Sequence, residues 1–169
     1  METSKSTKEI LKLAILLEHK GKAFYTQVAR QTESKAVKQI FETMAEEEDA
    51  HIKFLSKQFK HYEANKTFLK NELQLAEVEH PETDEILSAQ VKKEISAAGF
   101  EAAAISAAIE FENKAIEVYS DRAEKATDLN EKEMYQMLAD WEKTHHKLLF
   151  RMNEDLKHEI WNDNSFWPF

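Results

Sequence analysis

The sequence predicts an all-α protein, a four-helix bundle built from one helical hairpin used twice. Three observations predict it. Gly 2 and Pro 2 among 169 residues leave few places for turns, as suits long helices joined by short loops. Four long stretches carry apolar residues at steps of three and four, the period of a helix with one buried face. The second pair of stretches repeats the first at a constant offset of 94 residues, with no gap.

Taken in order, Ser6 and Glu9 form an S-x-x-E capping box ahead of "ILKLAILLEHKGKAFYTQVA", which places the first helix at Thr7 to Gln31. Ser34 caps a second helix that runs to about Lys60 or somewhat beyond. The stretch from Tyr62 to about Ser96 has weaker periodicity and holds Pro81 inside "EVEHPETDE". It reads as a long crossover with a short helix near Asp84 to Lys93. A third helix covers the Ala-rich "FEAAAISAAIEFENKAIEVYSDRAEKA", and Asp128 with Glu131 caps a fourth, "LNEKEMYQMLADWEKTHHKLLFRMNEDL". The tail "HEIWNDNSFWPF" is expected to leave the bundle.

Short links make helices 1 and 2, and helices 3 and 4, antiparallel pairs. One long link between helices 2 and 3 lets the second pair return beside the first, the ferritin-like arrangement. The helix pattern alone also allows an up-and-down bundle with a long loop. The expected organisation is a bundle over residues 1–157, with its crossover at about 62–96, and an aromatic tail over 158–169. Trp161, Phe166, Trp167 and Phe169 of the tail suit capping of one bundle end or burial against the partner in a homodimer.

Composition excludes several function classes. A net charge of −9 argues against a nucleic-acid backbone as the main partner. No apolar run approaches the roughly 20 residues of a membrane-spanning helix, and "METSKSTKEI" lacks the apolar segment of a signal peptide. With no cysteine there is no disulfide, thiolate metal site or iron–sulfur cluster, and cytoplasmic residence is the expectation.

The repeat points to the chemistry. At the offset of 94, Glu18 matches Glu112, Tyr25 matches Tyr119, Glu48 matches Glu142 and His51 matches His145. All these polar residues lie on apolar seams, such as Leu11, Ala14, Glu18, Gly21, Tyr25 and Val28 on the first helix. Each helix therefore turns a Glu inward, and two helices add a His one turn later. Glu18 to Glu48 and Glu112 to Glu142 are both 30 residues apart, which puts each pair at one level of its antiparallel hairpin. Four carboxylates cannot all stay ionised in a dry core unaided. Two divalent cations would neutralise them, held by one Glu from each of two helices and Glu-x-x-His from each of the other two. A single E-x-x-H is common on helix surfaces; two in a duplicated frame, each matched by a seam Glu, are not.

In "HH" the frame selects His145, because His146 aligns with Ile52. Glu46, Glu47 and Asp49 read as a solvated charge run, and His19, His61, His80 and His158 as surface residues. Tyr25 and Tyr119 either hydrogen-bond a ligand carboxylate or pack as core aromatics.

The motifs "LLEHKGKAFY", "MAEEEDAHIKF", "AIEFENKAIEVY" and "LADWEKTHHKLL" give the chain, over about Ile10 to Leu149, a resemblance to the rubrerythrin family of the ferritin-like superfamily. The resemblance implies a di-iron centre with Glu18, Glu48, His51, Glu112, Glu142 and His145 as ligands, Glu48 and Glu142 bridging. It implies two-electron reduction of hydrogen peroxide or dioxygen. The donor types also accept manganese or a mixed pair, and zinc after expression.

Two features depart from the family. Full rubrerythrins carry a Cys-rich rubredoxin domain; with no Cys here, electrons are expected from a separate donor such as a rubredoxin-like protein. The family often has a further Glu one turn after the helix 3 ligand; here that position is Ala115, and its repeat mate is Gly21. Small residues there would open a pocket beside the metals. The competing functions are a ferroxidase-type iron-binding or storage protein, an oxidase acting on an organic substrate, and a structural bundle with a vestigial site.

Overall fold

The computed structural model describes residues 6–70, 89–91 and 99–162, the last four by their backbone alone. Among them are four long helices: α1 (Thr7–Gln31), α2 (Lys35–Asn65), α3 (Phe100–Lys125) and α4 (Leu129–Asn162). The caps explain most of the starts. Ser6 and Glu9 exchange hydrogen bonds, Glu9 N to Ser6 Oγ at 3.3 Å and Ser6 N to Glu9 Oε2 at 2.7 Å. The amide of Val37 donates to Ser34 Oγ at 3.1 Å, and those of Asn130 and Glu131 donate to Asp128 Oδ1 at 2.8 and 3.1 Å. The Glu131 carboxylate does not complete a second capping box; it pairs with Arg122 of α3 at 2.7 Å. Lys66, with φ 59°, ends α2 in the left-handed region.

α2 ends at Asn65, within the expected reach somewhat beyond Lys60, while α4 outruns its expected end at Leu156 and continues to Asn162, through the first residues of the stretch expected to leave the bundle. The extension contains neither glycine nor proline, so nothing in it stops a helix. Of the short helix expected near Asp84 to Lys93, residues 89–91 are described and helical; the remainder, with Pro81 and His80, lies outside the described residues, as do Phe166, Trp167 and Phe169 of the tail. No helix among the described residues is long and apolar enough to cross a membrane.

The core falls into two apolar blocks. One holds Tyr25 and Val28 of α1, Phe41 and Met44 of α2, Ile105 and Ala108 of α3, and Leu149 and Met152 of α4, with Val91 from the crossover. The other holds Leu11 and Ala14, Leu55, Ala115 and Tyr119, and Tyr135 and Leu138. The order in which each helix visits the blocks makes α1 antiparallel to both α2 and α3, and α3 antiparallel to α4. The two hairpins meet along α1 and α3. Between the blocks, every helix passes through a layer of buried charge.

Candidate metal centre

That layer holds Glu18, Glu48, His51, Glu112, Glu142 and His145, all 5% exposed or less. Each arrives by its helix period: Glu18 stands between Ala14 and Gly21 on the buried seam of α1, and Glu112 between Ala108 and Ala115 on that of α3. α2 and α4 each present Glu and His one turn apart, so both side chains point the same way. The six side chains form two overlapping sets. Glu18, Glu48, His51 and Glu142 offer ligand atoms within 4.8 Å of one another; so do Glu48, Glu112, Glu142 and His145. Glu48 and Glu142 belong to both.

The histidines turn Nδ1 toward the carboxylates. His51 Nδ1 lies 2.9 Å from Glu18 Oε2, 3.2 Å from Glu142 Oε1 and 3.8 Å from Glu48 Oε2. His145 Nδ1 lies 3.4 Å from Glu142 Oε2, 3.6 Å from Glu112 Oε1 and 3.9 Å from Glu48 Oε1. His145 Nδ1 and Glu112 Oε2 are buried and make no hydrogen bond among the described residues. Polar atoms left this way are costly unless a cation satisfies them. Four carboxylates and two imidazoles supply the hard oxygen and borderline nitrogen donors that iron or manganese takes. The residues therefore fit a pair of divalent metal ions.

The electrostatics say the same. Burial, together with the charges of Glu142 and Glu18, pushes the Glu48 carboxyl well above the usual range. Burial and the charge of Glu142 push Glu112 up to about 8. Burial also acts to raise Glu142, but the two imidazoles beside it, His145 and His51, outweigh it and hold that carboxyl below the usual range. Burial opposes charge on the two imidazoles, yet the carboxylates around them win and raise both. Without a cation the layer must hold protons instead.

The tyrosines act across helices. Tyr25 of α1 donates its hydroxyl to Glu112 of α3, and Tyr119 of α3 donates to Glu18 of α1. Both rings are also buried in the apolar blocks, so the two sequence readings hold together. His146 stacks on Phe150, with ring centroids 5.8 Å apart, and lies outside both sets. His19 and His158 are exposed; His61 is half-buried and meets Asn65.

One residue of the supposed surface run belongs here. Glu47 Oε2 lies 2.6 Å from His145 Nε2, and its side chain is 23% exposed. Asp49 does stay at the surface, 2.6 Å from both Lys22 and Lys53. Trp141 sets its ring edge-on to His51, with centroids 5.6 Å apart. A small cavity of about 10 Å³ touches Glu18, Glu48, Glu112 and Glu142, with Gly21 and Tyr25 on the α1 side and Phe111 and Ala115 on the α3 side. That volume is about one water-sized sphere.

A family model, rubrerythrin, matches residues 9–154. No curated protein and no solved structure matches the chain.

Proposed function

The chain belongs to the rubrerythrin family, and from that premise we propose that it is a di-iron oxidoreductase that reduces hydrogen peroxide or dioxygen. The observation that carries this reading is the pair of buried donor sets sharing Glu48 and Glu142. Glu18 and His51 would hold one iron, Glu112 and His145 the other, and Glu48 and Glu142, which belong to both donor sets, would serve the two together. A ferrous pair would supply two electrons, one from each ion, the number needed to turn one hydrogen peroxide and two protons into two waters.

The chain's own residues set the conditions. The apolar blocks on either side of the layer exclude bulk water and strengthen every charge interaction within it. Tyr119 and Tyr25 fix Glu18 and Glu112 from the opposite hairpin. The cavity between Gly21 and Ala115, about the size of one water, lies beside four carboxylates with Tyr25 on its wall and marks where a small oxidant would approach. These 169 residues contain no cysteine to hold a rubredoxin-type iron, so on this reading the electrons reach the site from outside them.

The test is reoxidation of protein loaded with two ferrous ions per chain without oxygen. Addition of peroxide should consume one equivalent per chain and release no iron. Oxidation that continues with added ferrous iron, with many more than two ions retained, would instead mark iron storage.

A further inference from the structure

The two halves of the site match in their ligands and differ in what stands behind each histidine. His145 Nε2 lies 2.6 Å from Glu47 Oε2. A carboxylate only accepts hydrogen bonds, so Nε2 carries the proton and the Nδ1 lone pair is left for a metal. At the offset of 94, the repeat mate of His145 is His51 and the mate of Glu47 is Trp141. The indole does stand at His51, ring edge to ring face at 82°. An indole N–H is a donor only and cannot replace the carboxylate. His51 Nε2 accordingly makes no hydrogen bond among the described residues, and neither does Trp141 Nε1, although both atoms are buried.

A carboxylate on the outer nitrogen of a metal-binding imidazole fixes the ring and makes its inner nitrogen a stronger donor; removing such a partner typically costs 10–100-fold in metal affinity. From this we infer that Glu47 is a positioning residue that makes the two metal positions unequal. The ion at Glu112 and His145 is held more tightly and loads first. The ion at Glu18 and His51 binds second and is the first to leave. The inference rests on the dimetal reading above and adds an order to it.

The experiment is an anaerobic titration with cobalt(II), followed by visible absorption, on the whole chain and on E47A, E47Q and W141F. The wild-type chain should bind two ions in two resolved steps. E47A should weaken the first step by about 10–100-fold and bring it close to the second. E47Q, which keeps an acceptor oxygen without its charge, should lose less and partly restore the gap. Should E47A fold poorly, the near-isosteric E47Q carries the test through its own smaller loss. W141F should leave the first step unchanged. Two ions bound with the first step unaltered in both Glu47 variants, or two steps weakened equally, would overturn the inference and leave the dimetal reading standing. A wild-type chain that binds no cobalt would overturn both.

Discussion

Tyr119 on α3 donates its hydroxyl to Glu18 on α1. The relation is returned: Tyr25 on α1 donates to Glu112 on α3. Each hairpin thus holds the other's outer carboxylate, across the seam where α1 and α3 meet. A buried hydrogen bond contributes about 0.5–1.5 kcal/mol between neutral groups and about 1.5–3 kcal/mol to a charged one. Y119F and Y25F should each lower stability by about 1–3 kcal/mol in thermal denaturation and weaken cobalt binding by about 10-fold or more. Unchanged metal affinity with lowered stability would reduce the tyrosines to core packing.

Gly21 separates stability from reactivity. A Cβ there would sit 3.4 Å from Glu48 Cδ and 3.6 Å from its oxygens, an ordinary contact. Alanine also suits a helix interior better than glycine, by about 1 kcal/mol. G21A should therefore raise the melting temperature or leave it unchanged, while filling the cavity beside the carboxylates. Reoxidation of the ferrous protein, followed by stopped flow, should slow in G21A and slow further with A115V. Wild-type rates at equal metal content would remove the cavity as the seat of the oxidant.

The metal-free protein should lose stability as pH rises from about 6.5 to about 8. Glu112 has its folded value raised from 4.5 to about 8, so stability present below 4.5 drains away across that interval. His51 and His145 are raised above 6.5, so their contributions also begin to fall there. Glu142 is shifted the other way, and its contribution is lost only in acid. All the changes between 6.5 and 8 therefore have one sign. Thermal melts of the metal-free chain should show the fall. The loaded chain should show much less of it, because metal replaces the protons, and loading should release protons into a weakly buffered solution.

Most of the site's address was legible in the sequence because it rests on local periodicity and on the repeat. The offset of 94 brought Glu18, Glu48, His51 and their mates to one level and chose His145 over His146, which in fact stacks on Phe150. The caps at Ser6, Ser34 and Asp128 were legible for the same local reasons. Glu47 was not. In "AEEEDA" it has the composition of a solvated run, and only the approach of α4 to α2 gives it a histidine to accept from. The one available signal was a mismatch in the repeat, Glu47 against Trp141. The crossed tyrosines were half legible. Seven residues along a helix is about 10 Å, too far for Tyr25 to reach Glu18 on its own helix, so its partner had to come from another. Which helix supplied it depended on how the two hairpins face each other, and that is a tertiary matter.

The most direct test of the central claim is the metal content per chain after anaerobic loading with ferrous iron and desalting, in the wild-type chain and in E48A/E142A. Two donor sets that share these carboxylates predict about two irons in the wild type, and their loss from the double variant while the chain stays helical by circular dichroism. A wild-type chain that retains no metal, or a double variant that keeps both ions, would contradict the account.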